Sequence, residues 1–199
     1  MLRDDAIILE INRLWDPVYP HMARYALGRW GKPGPRVLDL GPFAGGIAVA
    51  ALDADPQARA IVFDEAPGVP GWAAQKARAG GVEPRLEVAV GPMDRLPFPA
   101  GAFDIVVVRG AFFFLTPQIL REAARVLGPG GFGWIGGGYG PDTPDGVISP
   151  IADRSRELNA RLGKRWVSAE EARGLVEAAG LADRARVVER GGLWIEVGP

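Results

Sequence analysis

The sequence predicts a doubly wound α/β fold: a sheet of about seven strands, mostly parallel, with helices on both faces and an antiparallel C-terminal edge hairpin. Three observations predict it. Short apolar runs alternate with helical stripes along the chain. The run Phe103-Asp104-Ile105-Val106-Val107-Val108 is almost continuously β-branched, as in a parallel strand covered on both faces. Finally, Val37-Leu38-Asp39-Leu40-Gly41-Pro42-Phe43-Ala44-Gly45-Gly46 passes from a buried strand into a glycine-rich turn, and the helical run Ile47 to Leu52 follows at once.

The elements follow in order. Residues 4 to 30 read as two helices preceding the first strand. Ile7, Ile8, Ile11, Leu14 and Trp15 share one face of the first, and Asp16-Pro17 reads as cap and first position of the second. Arg36 to Leu40 is the first strand and Ala60 to Phe63 the second, ending in Asp64. Pro70 to Ala79 reads as a helix, Arg85 to Val90 as a strand, and Phe103 to Val108 as the buried strand. Thr116-Pro117 caps a helix with Ile119, Ala123, Val126 and Leu127 in a stripe, and Gly128-Pro129-Gly130-Gly131 stops it. Phe132 to Gly136 is a further strand, and Ser149-Pro150 opens a helix to about Leu162. Ser168-Ala169-Glu170-Glu171 is a capping box opening another helix, with Ala172, Leu175, Val176 and Ala179 inward and Gly180 at its end. Ala185 to Glu189 and Leu193 to Val197 close the chain as two strands.

Composition narrows the function. The 199 residues suit one domain, residues 35–199, with residues 1–34 as a helical appendage. A net charge of −1 and a pI near 5.9 give no global attraction to nucleic acid or anionic membrane. No apolar run reaches the length of a membrane span, and Met1-Leu2-Arg3-Asp4-Asp5 lacks the regions of a signal peptide, so a cytoplasmic protein is expected. With no cysteine and one histidine, no transition-metal site is expected.

The turn carries the chemistry. Gly41 lets the backbone bend sharply, Gly45 and Gly46 are expected to let it approach a ligand, and the following helix presents free N–H groups. Asp64 stands 25 residues after Asp39 (64 minus 39), at the tip of the second strand, where a carboxylate accepts from ribose hydroxyls. A nicotinamide dinucleotide fits less well, because Gly41-Pro42-Phe43-Ala44-Gly45-Gly46 lacks the second glycine of G-x-G-x-x-G.

These residues resemble the class I S-adenosylmethionine-dependent methyltransferases, a Rossmann-like family, and in particular its methyltransferase domain 11 group. Val37 to Gly46 resembles the family's first motif and Ile61 to Asp64 its second-strand acid. Gly91-Pro92-Met93-Asp94-Arg95-Leu96-Pro97-Phe98-Pro99-Ala100-Gly101-Ala102-Phe103-Asp104 resembles its "G-D-A-x-x-L-P-F-x-D-x-S-F-D" stretch. Leu120-Arg121-Glu122-Ala123-Ala124-Arg125-Val126-Leu127-Gly128-Pro129-Gly130-Gly131 resembles "L-x-E-x-x-R-V-L-K-P-G-G". The likeness runs from about residue 35 to residue 197, and four motifs in order are far more specific than one. Three positions depart from it: Phe43 replaces the middle glycine of D-x-G-x-G-x-G, Pro92 replaces the aspartate that holds the adenine amino group, and Glu65 stands where an apolar plate under adenine is common.

The resemblance implies S-adenosylmethionine as cofactor, leaving S-adenosylhomocysteine, with Asp39, Gly41, Pro42, Phe43, Gly45, Asp64, Glu65, Met93, Asp94 and Arg109 as candidate cofactor residues. Asp39 is then expected near the cofactor's ammonium, and Met93 and Asp94 beside adenine in place of the missing aspartate. Arg109 to Leu115 follows the fourth strand, where related enzymes place the floor of the transfer site. Trp15, Tyr19, Met22, Phe112 and Phe113 are the candidate acceptor pocket, with the N-terminal helices as its lid. His21 is the candidate general base, against a plain surface or structural role. Arg154, Arg156, Arg161, Lys164 and Arg165 form a local basic excess that reads as a solvated helix face or as an attraction for an anionic acceptor. The expected function is methyl transfer to a small-molecule acceptor. The alternatives are a degenerate methyltransferase-like binding or partner protein and, third, a nicotinamide-dependent oxidoreductase.

Overall fold

The computed structural model describes residues 4–163 and 166–198, so Lys164 and Arg165 of the basic stretch lie outside the described residues. Two helices, α1 (Asp5–Leu14) and α2 (Tyr19–Trp30), precede β1 (Arg36–Leu40), α3 (Gly46–Ala54), β2 (Arg59–Asp64), α4 (Gly68–Ala79) and β3 (Leu86–Val90). Then come β4 (Phe103–Arg109), α5 (Pro117–Val126), β5 (Leu127–Gly137), α6 (Asp145–Arg161), α7 (Ala169–Ala178), β6 (Ala185–Val188) and β7 (Leu193–Val197). The strands form one sheet in the order β3-β2-β1-β4-β5-β7-β6. β1 to β5 are mutually parallel, and β7 runs antiparallel between β5 and β6.

Strand order reverses between β1 and β4. A crevice therefore opens at the carboxyl ends of these two strands, where α/β sheets of this kind bind ligands. Alternation of side chains splits the core in two. Val37, Val62, Ile105, Val107 and Trp134 pack under α1 to α4 and α6, whereas Leu38, Leu40, Val106, Val108 and Ile135 pack under α5 and α7.

Helix boundaries follow local chemistry. Asp4 Oδ1 accepts from Ile7 N at 3.1 Å, Thr116 Oγ1 from Ile119 N at 3.2 Å, and Ser168 with Glu171 closes the expected capping box. Prolines moved three expected starts. Pro20 and Pro70 lie within the first turns of α2 and α4, where no N–H is needed, so the helices begin at Tyr19 and Gly68 rather than at Pro17 and Pro70. Helix α6 begins at Asp145 and carries Pro150 inside it. Helix α5 ends at Val126, just before Gly128-Pro129-Gly130-Gly131, and that run is absorbed into β5, with Phe103 paired to Leu127 and Ile105 already paired to Phe132. The extra residues bulge out of the ladder there.

The N-terminal segment is no loose appendage. Ile8, Ile11, Val18, Tyr19 and Met22 are buried in the larger core. Trp15 Nε1 donates to Ser155 Oγ of α6 at 2.9 Å, and Lys76 of α4 pairs with Asp16. Tyr25 and Arg29 both donate to the buried Glu196 carboxylate of β7, which also pairs with Arg186. Helix α2 lies flush on α3 because Gly46 has no side chain: a Cβ there would stand 2.1 Å from the Tyr19 ring. Gly46→Ala should therefore cost about 1 to 3 kcal/mol in urea denaturation. In a double-mutant cycle with Tyr19→Ala the two costs should fall well short of additive.

Candidate functional site

The site grows from Asp39, which β1 delivers fully buried beneath the glycine turn. Asp39 Oδ2 accepts from Gly45 N at 2.8 Å and Ala48 N at 3.0 Å, tying the turn and the first turn of α3 to the strand. Its Oδ1 is buried and accepts from no donor among the described residues. Burial pushes the Asp39 pKa up to about 6, against the lowering pull of the Ala48 and Gly45 amides and of Arg109. Gly41 and Gly45 hold φ values of 101° and 102°, a region closed to ordinary side chains.

Residues 41–46 are all buried, and this chain's own side chains bury them. A Cβ on Gly45 would stand 2.8 Å from Ala73 and 3.0 Å from the Trp72 ring. Gly45 and Gly46, expected to admit a ligand, instead admit α4 and α2. Over Gly41 stand the Phe114 ring, 2.8 Å from where a Cβ would be, and the Met93 sulfur at 3.5 Å. Phe43 avoids positive φ, and its ring lies against Gly110 and beside Phe113, with centroids 5.3 Å apart.

The other candidate cofactor residues separate. Asp64 is fully buried at the tip of β2, while its neighbour Glu65 is exposed. Met93 is buried beside Gly41, whereas Asp94 is exposed and its carbonyl accepts from Gln118 Nε2. Pro42 is buried, and its carbonyl accepts from Asn12 Nδ2 at 3.3 Å.

Arg109, the last residue of β4, is 3% exposed. Its Nε donates to Phe43 O at 3.2 Å, and Nη2 donates to Asn12 Oδ1 at 2.6 Å and Tyr19 Oη at 3.0 Å. The guanidinium carbon lies 4.5 Å from the Trp15 ring, 5.2 Å from Phe43 and 5.3 Å from Tyr19. Burial lowers its pKa, opposed by Tyr19 and Asp39, and burial raises that of Tyr19.

Trp15, Phe112, Phe113 and Arg109 line a small cavity beside Phe43, which adjoins a larger one of about 260 Å³ walled by α6 and Tyr139. These three aromatic residues of the expected acceptor pocket come together, and two others do not. Tyr19 lies under Gly46, and Met22 belongs to the core near Gly140. His21 is half-buried on α2, forms no side-chain hydrogen bond among the described residues and lies in neither cavity wall. Arg154 and Arg156 are engaged by Glu10, Glu157 and Asp153, consistent with a solvated helix face. Sequence reasoning passed over Asn12 and Asn159. Asn12 had a signal: it is a polar residue on the apolar face that carries Ile8, Ile11 and Trp15.

The fold and the acid-anchored turn at the strand switch define a nucleotide-binding α/β architecture of the methyltransferase kind. A family model described as a methyltransferase domain matches residues 37–131. The chain is 36% identical over 125 residues to the ubiquinone/menaquinone biosynthesis C-methyltransferase UbiE of Dinoroseobacter shibae, covering 61% of this chain and 47% of that one. It is 38% identical over 102 residues to the demethylmenaquinone methyltransferase of Thermus thermophilus, covering 50% and 46%. The chain thus spans about half the length of the curated relatives it matches. A SAM-dependent methyltransferase from Aquifex aeolicus superposes with a TM-score of 0.67 at 21% identity, covering 98% of this chain and 97% of that one. An O-methyltransferase family 2 protein from Planctomyces limnophilus, in complex with apigenin, superposes with a TM-score of 0.68 at 26% identity, covering 100% and 62%. Residues 37–131 thus match a methyltransferase domain, and the whole chain shares the fold of the class I S-adenosylmethionine-dependent methyltransferases.

The polar frame fits that family's cofactor. The orphaned Asp39 Oδ1 is a buried acceptor that an ammonium would satisfy, and Asp64 ends β2 in the position from which a carboxylate could accept from ribose hydroxyls. The rings of Phe43 and Phe114 stand on the same frame, so occupancy requires that at least the Phe114 ring turn aside.

The raised Asp39 pKa has a sign. Burial favours the protonated form, so its contribution to stability is full below the ordinary value of 3.8 and is lost as pH rises through about 6. Between about pH 4 and pH 7 the wild type should lose up to about 3 kcal/mol relative to Asp39→Asn, read from urea midpoints across the range. A constant difference would contradict the raised pKa.

Proposed function

We propose that this chain transfers a methyl group from S-adenosylmethionine to a small-molecule acceptor. The orphaned Asp39 Oδ1 beside the glycine turn carries the reading, because a buried acceptor without a donor is a cost that a bound cation relieves. S-adenosylmethionine supplies, when bound, a methyl already activated on a sulfonium. The protein's part is then to hold and enclose. Asp39 holds the turn and offers Oδ1, Asp64 accepts from ribose hydroxyls, and Met93 packs beside Gly41. Trp15, Phe112 and Phe113 exclude water from the acceptor side, so that position rather than proton transfer supplies most of the acceleration. That role asks no base of His21.

The relatives named as quinone-biosynthesis C-methyltransferases support an apolar ring as the acceptor. The aromatic rings in the walls of the two adjoining cavities, Trp15, Phe43, Phe112, Phe113, Tyr139 and Trp166, agree with it. A second reading has its own observation. Because Tyr19, Trp72, Phe43 and Phe114 close over the turn, a protein that kept the fold and lost turnover would look the same.

Calorimetric titration with S-adenosylhomocysteine separates the two. On the methyltransferase reading the wild type binds, Asp64→Ala still folds but binds more than about thirtyfold weaker at a temperature below its melting transition, and Phe114→Ala binds severalfold tighter. No binding by the wild type, or equal affinity in Asp64→Ala, overturns it in favour of the second reading.

A further inference from the structure

Arg109 carries more than the fold needs. It is a buried cation, 3% exposed, that forms no ion pair among the described residues. Three neutral acceptors take Nε and Nη2, leaving Nη1 without a hydrogen bond among the described residues. Arg109 also lines the cavity that Trp15, Phe43, Phe112, Phe113 and Asn159 complete. A buried guanidinium that is hydrogen-bonded only to neutral acceptors and lines a cavity is suited to receive an anion there.

The space beside it is graded. The cavity at Arg109 measures about 40 Å³, against roughly 10 to 15 Å³ for one water on the same scale. It takes a carboxylate or a single ring oxygen and no ring. The larger cavity, about 260 Å³, shares Trp15, Gly138 and Asn159 with it and continues under the stacked Trp15 and Tyr139 rings to the exposed Trp166. Its walls are mainly apolar, with Asn159 at the junction already donating to Ser155. Arg156, the other cation there, is exposed and paired with Asp153.

We propose that Arg109 is the anion receptor of the acceptor pocket, and that the acceptor is a planar apolar molecule with a carboxylate or an ionised enol or phenol oxygen at one end. The charged oxygen meets Nη1 in the small cavity and the apolar body fills the larger one. A bidentate pair is not required, since one charge-assisted bond to a dry guanidinium already discriminates strongly against a neutral isostere. The word acceptor rests on the methyltransferase reading above; the receptor itself does not.

The probes are 2-naphthoate and its neutral isostere 2-naphthamide, titrated into the full chain by calorimetry with and without S-adenosylhomocysteine. The wild type should bind 2-naphthoate at least tenfold tighter than the amide. Arg109→Met should erase that preference, Arg109→Lys keep part of it, and Arg156→Met leave it within about twofold. Equal binding of the two probes to the wild type, or no saturable 2-naphthoate binding, overturns the proposal without use of any variant. A second arm compares S-adenosylhomocysteine with 5′-methylthioadenosine, which lacks the amino-acid end. If 2-naphthoate competes with the former, and Arg109→Met weakens the former and spares the latter, the guanidinium serves the cofactor's carboxylate and the proposal fails. A wild type that prefers 2-naphthoate but binds no S-adenosylhomocysteine keeps the receptor and removes the methyltransferase reading.

Discussion

A single guanidinium joins the parts of this molecule that matter for function. Arg109 ends β4, reaches the carbonyl of Phe43 in the β1 turn, and holds Asn12 and Tyr19 of the N-terminal helices. Strand, turn and N-terminal cover therefore meet on one buried charge. Removing such a group from water costs several kcal/mol, and here neutral dipoles and aromatic faces meet that cost rather than a carboxylate. No carboxylate is hydrogen-bonded to the guanidinium among the described residues, although Asp39 lies close enough to act on its charge.

Asp39 is its counterpart across the turn. The two are close enough to influence each other's ionisation, yet each points its spare atom elsewhere: Asp39 Oδ1 stays buried at the turn, and Arg109 borders the aromatic cavity. Phe43, the residue that departs most visibly from the family's loop, packs its ring against Arg109, Gly110 and Phe113. Its carbonyl binds Arg109 while its ring covers Gly110, which a side chain at Gly110 would prevent, since a Cβ there would stand 2.4 Å from the ring.

The closeness of the packing around the turn follows from the same economy. Each glycine between Gly41 and Gly46 has a large residue against it: Phe114 on Gly41, Trp72 on Gly45, Tyr19 on Gly46. Close-packed interiors transmit displacement rather than absorb it, so turning Phe114 aside disturbs the 3₁₀ turn Ala111–Phe113 that also walls the acceptor cavity.

Most of the fold was legible along the chain, because period, caps and turn residues act locally: the Val and Ile run of β4, the Thr116 and Ser168 caps, and the strand-turn-helix around Asp39 all stand where the sequence puts them. Proline was misread at α2, α4 and α6, since first-turn and interior prolines look alike in a string. The glycines of the turn were legible as glycines and misread in purpose, for a close approach by a ligand and one by Tyr19 or Trp72 demand the same missing Cβ. By itself the sequence determined the sheet, the order of its motifs and the acids at the tips of β1 and β2, because each depends on residues near in sequence. Only the tertiary structure decided that residues 97 positions apart, Asn12 and Arg109, share a hydrogen bond, that the Phe43 ring packs on Gly110, and that one buried cation lines an aromatic-walled cavity. Those depend on which distant side chains the packed layers bring into contact, and no local pattern encodes that.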